Sequence, residues 1–262
     1  MSQDLLISNT ANGVVRLMLN RPQKRNSLTR ELLGGLHSAI LEAAGRSDLR
    51  CLVLEAAGPV FCAGMDLAQM EETASRNDAR EIWHADTQLY HNVVAAIMAL
   101  PAPTIAVVQG PALAGGVGLI LACDLVLAAE AATYALPEPK RGITAAIVTP
   151  LLVHRIGVSA ASWLLLSGEG IDAARAREVG LCHEVVASAD LVSARDKLIT
   201  SVLSGAPGAL AITKHQLTSC NSEVLKQLLS AVVVSAQARE TPEAREGLAA
   251  FLEKRPPAWQ PK

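Results

Sequence analysis

Two short, continuously apolar runs, Arg50-Cys-Leu-Val-Leu-Glu55 and Thr104-Ile-Ala-Val-Val108, each lead into a glycine-containing loop that passes into a helical segment. A strand that is apolar at successive positions has no solvated face. It belongs inside a sheet covered on both sides, as parallel strands with helical crossovers are. The two loops are Phe61-Cys-Ala-Gly-Met-Asp-Leu67 and Gly110-Pro-Ala-Leu-Ala-Gly-Gly116. In open α/β sheets such strand-to-helix loops face the ligand crevice. The free N–H groups of the helix starts that follow suit a developing negative charge. Tight turns using glycine for geometry alone explain the same pattern, so pattern by itself leaves both readings open.

The rest of the chain extends this alternation. Leu5–Ser8 and Val14–Leu19 flank Asn12-Gly13 and predict an edge hairpin. Thr29 caps a predicted helix to about Ala44, with Leu32, Leu33, Leu36, Ile40 and Leu41 at helical spacing. One polar, helix-prone stretch is expected from Leu67 to about Met98, ended by Pro101 and Pro103. Val117–Ala122 continues the second glycine loop, and Asp124–Ala129 predicts a third strand. Beyond Ile147 only Cys182–Val186 reads as a strand; the remainder is helical. Thr241-Pro242-Glu243 gives the last helix a cap, a proline at its first position and an acidic first turn. This order predicts an α/β core over residues 1–190 and a helical region over residues 191–262.

Composition removes several function classes. The chain has 262 residues with 50% hydrophobic and 18% charged side chains, enough for a large core and too apolar for disorder. A net charge of −2 and only seven aromatic residues supply neither the field nor the stacking platforms of a nucleic-acid binder. Five cysteines without a C-x-x-C pair suggest neither a disulfide framework nor a zinc site, and a cytoplasmic location is expected. The N-terminus has no basic flank before an apolar run, so no signal peptide is expected. The most apolar stretch, Pro111–Cys123, is too short to span a bilayer, so no membrane partner is expected. The P-loop, nucleophile-elbow and zincin motifs are absent, and Gly116-Val-Gly118 lacks the third glycine of a dinucleotide fingerprint.

Four segments in register carry a resemblance. Leu19-Asn-Arg-Pro-Gln-Lys-Arg-Asn-Ser-Leu28, Phe61–Leu67, Gly110–Leu119 with Ala122-Cys-Asp124, and Leu136-Pro-Glu-Pro-Lys-Arg-Gly142 resemble the enoyl-CoA hydratase/isomerase, or crotonase, superfamily. The resemblance runs from about residue 5 to Trp259. It implies a crotonase-like α/β spiral of mostly parallel strands with a helical C-terminal trimerisation region. The implied assembly is a homotrimer or a hexamer, and the implied ligand is an acyl-CoA thioester, with no metal or cofactor. In the family two backbone N–H groups hold the thioester oxygen while an enolate forms. By motif match these are the amides of Met65 and Gly115, and such preorganised donors contribute on the order of 3 kcal/mol each.

The side chains then decide the reaction. Family hydratases carry one glutamate three residues after the second oxyanion glycine and another in the Pro-Glu motif. Here the first place is Gly118 and the second is Glu138. Family isomerases that move a double bond from the 3- to the 2-position keep only the glutamate matching Glu138. A glycine at the first place also occurs in branches assigned to methylglutaconyl-CoA-type hydration. Three readings therefore stand: an isomerase, a hydratase, and a catalytically silent acyl-CoA-binding protein. A solvated loop carboxylate is the ordinary reading of a Glu between prolines; the motif match reverses it, and a catalytic Glu138 is expected to have a pKa raised toward neutrality. Asp66 and Asp124 are expected to accept backbone N–H bonds at turns. By resemblance Arg25, Ser27, Ala63 and Leu67 contact the CoA moiety, and Lys254 reaches a neighbouring subunit's nucleotide. Glu71, Glu72, Glu81, His84, Asp86 and His91 would supply a second acid-base group if their helix faced the acyl pocket; a solvated helix face explains them more simply.

Overall fold

The protein is described by a computed structural model covering residues 4–220 and 222–260. Strands β1 (Leu5–Asn9) and β2 (Val14–Leu19) form the expected antiparallel hairpin, with Gly13 at φ 79° in the turn. Helix α1 (Arg30–Ala44) begins where the Thr29 side chain accepts from the Leu32 N–H, and it buries Leu32, Leu33, Leu36 and Ile40. Strand β3 (Cys51–Ala56) follows, then α2 (Leu67–Ala74), α3 (Ala79–Ala99) and β4 (Thr104–Val108). The single helical stretch expected from Leu67 to Met98 is thus two helices. Asp66 caps the first, accepting from Ala68 and Gln69 N–H, and residues 75–78 form a turn between them.

Short strand β5 (Ala112–Leu113) leads into α4 (Gly115–Ala122), which starts two residues before the expected Val117. Strands β6 (Leu125–Ala129) and β7 (Thr133–Ala135) precede a 3-10 turn at Glu138–Arg141. Helix α5 (Val148–Ser162), β8 (Ile171–Asp172), α6 (Ala173–Glu178) and β9 (Glu184–Val186) complete the α/β part. The C-terminal helices are α7 (Leu191–Ser204), α8 (Pro207–Cys220), α9 (Ser222–Ala238) and α10 (Pro242–Leu252).

The main sheet has the order β1-β2-β3-β4-β6-β9, and every pair except β1·β2 is parallel. Its central strands are buried on both faces for the reason their sequence implies. Leu52, Leu54, Ala106 and Val108 enter the large core with α1, α3 and α4. Their alternates Cys51, Val53, Ile105 and Val107 meet Leu191 of α7 in a smaller core behind the sheet. A second sheet, β5-β7-β8, escapes sequence reading because its strands have only two or three residues.

The helical region after residue 190 shares the main core: Val224, Leu228, Ala231 and Val232 of α9 belong to it. Helix α9 packs on α3, and α10 packs on the Glu138–Arg141 turn. The stretch Val148–Ser167 is long and apolar enough to cross a membrane by length and composition. It is not one straight helix, because Gly157 leaves the helical region at φ 73°, ψ 162°. Arg155 within it donates to the carbonyls of Leu121 and Cys123, tying it to α4.

Candidate active site

The two glycine loops lie side by side. Leu113 N–H donates to the Cys62 carbonyl at 2.8 Å and Phe61 N–H to the Pro111 carbonyl at 2.9 Å, so the segment before Met65 is strand-paired to the segment before Gly115. Gly64 sits at φ 86°, with Leu113 O and Gly115 N only 3.2 and 3.3 Å from where a Cβ would stand. No L side chain combines that backbone with that approach. Ala114 also has a positive φ, 53°, a conformation costly for alanine, immediately before the first residue of α4. Among the described residues no carbonyl accepts from the N–H of Met65 or of Gly115. Both residues line one cavity.

Glu138 lines the same cavity. Its position follows from the small sheet. Leu113 pairs with Ala135, and Ala114 N–H donates to the Ala135 carbonyl at 2.9 Å, so the strand that delivers Glu138 is bonded to the loop that delivers Gly115. Gly142, left-handed, ends the 3-10 turn, and the Ile143 N–H returns to the Glu138 carbonyl. The carboxyl is 6% exposed, and its Oε2 has no hydrogen-bond partner among the described residues. Burial pushes its pKa up to about 7 against the pull of Arg141. A carboxyl poised there can take a proton and give it back.

The place of the absent glutamate is occupied. A Cβ added at Gly118 would overlap the hydroxyl oxygen of Tyr90 and lie 3.0 Å from Val148 Cγ2. Tyr90 comes from α3 and is buried, and its hydroxyl donates to the Gly115 carbonyl at 2.6 Å. An aromatic ring from a neighbouring helix therefore fills the room that a side chain at 118 would need.

Comparison with known proteins agrees with this geometry. The enoyl-CoA hydratase/isomerase family model matches residues 9–262. The chain belongs to that family. A Thermus thermophilus protein with the provisional name enoyl-CoA hydratase is 36% identical over 94% of this chain and 97% of its own length. The 2,3-dehydroadipyl-CoA hydratase of Escherichia coli is 34% identical over 97% and 98%. Among solved structures, an enoyl-CoA hydratase/isomerase from Xanthobacter autotrophicus Py2 superposes with a TM-score of 0.88 at 32% identity, each chain covered completely. The fold is that of the crotonases.

Within this crotonase fold, α3 does face the cavity, but through Thr87 and Tyr90. None of the six charged or imidazole candidates of residues 71–91 lines it. Glu71, Glu72, Glu81 and His84 are exposed, as a solvated face requires. The same reading fails for two others: Asp86 and His91 are buried. Asp86 is held bidentately by Arg30 at 2.6 and 2.9 Å, and His91 packs beside Gln88 and Asn92.

The positions matched to CoA contact lie around the first loop. Arg25 is exposed, with a left-handed backbone, and its carbonyl accepts from Ala63 N–H at 3.0 Å. Ser27 Oγ donates to Asp66 at 2.9 Å, and Leu67 lines the cavity. Lys254 is exposed just past α10, away from the cavity lining. Asp66 and Asp124 accept backbone N–H bonds, Asp66 at the start of α2 and Asp124 from Thr104.

Among the cavity residues to which the sequence reading gave no role are Tyr90, Arg141 and Arg239. The spacing Thr87, Tyr90, Val94 marks one face of α3 and was available in the sequence. Arg239 follows the apolar α9 with no acid three or four residues before it, the mark of a guanidinium lacking a local partner.

Proposed function

We propose that the protein performs cofactor-independent enolate chemistry on an enoyl-CoA thioester, with Glu138 as its single acid-base group, and that it isomerises 3-enoyl to 2-enoyl thioesters in preference to hydrating 2-enoyl ones. The observation that carries this reading is the closure of position 118 by Tyr90 in a cavity whose one carboxylate, among the described residues, is Glu138. The thioester oxygen accepts from the N–H groups of Met65 and Gly115. The Glu138 carboxylate removes a proton from C2, and the electron pair moves into the enolate, whose charge those donors hold. The protonated Glu138 then delivers the proton to C4 as the double bond shifts to C2–C3. Atoms and charge balance without a second group.

Hydration asks for more. Water must be oriented and deprotonated at C3 while C2 receives a proton, which family members with two glutamates divide between them. The hydratase reading keeps one supporting observation, the Tyr90 hydroxyl, which has a lone pair left to accept from a water after donating to Gly115. The comparison that decides is kcat/KM for isomerising 3-hexenoyl-CoA against kcat/KM for hydrating 2-hexenoyl-CoA. Isomerisation is expected to be faster by at least about a hundredfold, the effect of one missing general acid-base contribution at its low end. Hydration equal to or faster than isomerisation would reject the isomerase preference, and inactivity on both with retained binding would favour the silent binding protein.

A further inference from the structure

The cavity adjoins a second, smaller one, walled by apolar side chains of α2, α3 and α10, among them Met70, Trp83 and Leu248. Two guanidiniums, Arg141 and Arg239, line both. Arg239 has a solvent-shielded Nη1 with no hydrogen-bond partner among the described residues. The acids near it are already committed: Asp86 is gripped by Arg30, and Glu240 pairs with Arg80 at 3.3 Å. Arg141 stacks its guanidinium on Phe251, 4.5 Å from the ring centroid, and among the described residues makes no ion pair. Arg245 adds a third positive charge to the second cavity, which has no carboxylate in its lining.

A guanidinium keeps its charge at any physiological pH, and a shielded one without a partner is costly to a fold. Burial lowers the proton affinity of both Arg141 and Arg239, which is the mark of that cost. The arrangement is explained if an anion arrives with the ligand. Its position relative to the chemistry is fixed by the 3-10 turn, in which residues three apart eclipse, so Arg141 projects from the same side as Glu138. An anion held there lies close to the reacting carbons. The phosphates of CoA stand a whole pantetheine arm away from the thioester and do not meet that requirement.

We propose that Arg239, with Arg141, binds a carboxylate at the far end of the acyl chain, so that the protein's substrates are enoyl-CoA thioesters of dicarboxylic acids. This rests on the acyl-CoA reading above and adds the chemical class of the acyl group. The planar forks of two arginines suit a carboxylate bidentately, and the apolar walls suit the methylenes leading to it.

Saturated thioesters test the subsite without any turnover. In calorimetry on the whole protein, adipyl-CoA is expected to bind at least about tenfold more tightly than hexanoyl-CoA, the scale of a charge-assisted hydrogen-bonded pair. Arg239→Gln should bring that ratio to within about twofold of one while leaving hexanoyl-CoA affinity nearly unchanged, and Arg239→Lys should keep part of the preference. Equal affinity of the two thioesters for the parent protein overturns the inference and leaves acyl-CoA binding intact, whether or not a variant folds. An equal loss of both thioesters in Arg239→Gln also overturns it, because the arginine would then serve a CoA phosphate or the fold. Binding of neither would remove the acyl-CoA reading and this inference together.

Discussion

At the scale of single residues the consequential group is Glu138. With its pKa raised from 4.5 to about 7 by burial, the folded protein holds a proton through a window in which the unfolded chain has lost it. Stability therefore declines as pH rises from about 4.5 to about 7 and levels off above that, because the folded state binds the extra proton. The whole effect is on the order of 3 kcal/mol at most. Glu138→Gln carries no titrating proton, so its stability relative to the parent should improve with pH across that window; urea midpoints measured at intervals from pH 4.5 to 8 check this. Activity should move in the opposite sense. For the parent kcat/KM should rise with an apparent pKa near 7, where the carboxylate forms. In the Gln variant, turnover and exchange of the C2 proton in D₂O should fall by about a thousandfold, within the usual span of general acid-base contributions. A variant that exchanges that proton at the parent's rate would assign the base elsewhere.

At the scale of elements, the contact of α3 with α4 sets what position 118 can hold. Gly118→Ala places a methyl against the Tyr90 hydroxyl and Val148, and should cost about 2 kcal/mol, the usual price of overpacking a core. Tyr90→Phe removes the hydroxyl, so the same alanine should cost less in that background, and a double-mutant cycle on unfolding free energies measures the coupling. Tyr90→Phe alone removes the hydroxyl donor to the Gly115 carbonyl and loosens a residue that lines the cavity. Its kcat should drop roughly fivefold, the worth of about one neutral hydrogen bond, with KM little changed. Gly118→Glu, the direct way to restore a second carboxylate, should fail to raise hydration unless Tyr90 is shortened as well.

The same elements show what the sequence made legible. Continuous apolar runs at Cys51–Ala56 and Thr104–Val108 announced buried parallel strands, and capped helices at Thr29 and Thr241 announced their own starts. Glu138 and the two loops were legible because motif and spacing are local. Tyr90 against Gly118 was not, since the clash joins residues 28 apart on different helices and depends on the packing of α3 on α4. The buried state of Asp86 was hidden for a related reason: its partner Arg30 is 56 residues away. The break between α2 and α3 was lost because a capping aspartate and a short polar turn look like one more turn of a polar helix.

At the scale of the whole molecule, the sheet, the small sheet and the C-terminal helices converge on one cavity. Met65 and Gly115 come from two loops that follow strands of the main sheet, Glu138 from the turn after β7, Ser235 from α9 and Arg239 from just beyond it. Helix α10 makes no contribution to the lining of the larger cavity, yet it presses on the turn that carries Glu138. The contact is close enough that a Cβ at Gly142 would collide with the Glu243 carbonyl and one at Gly247 with the Arg141 carbonyl. The turn is thus clamped backbone against backbone by a segment that leaves the ribosome long after Glu138 does. A growing chain can pair its strands and bury most of its core while Glu138 is still unclamped, so, on the proposed function, competence for turnover should arrive late in synthesis, as a discrete event. A chain stopped after Glu240 should keep most of its far-ultraviolet helical signal and lose activity; adding residues 241–260 as a separate peptide should restore part of it in proportion to peptide bound.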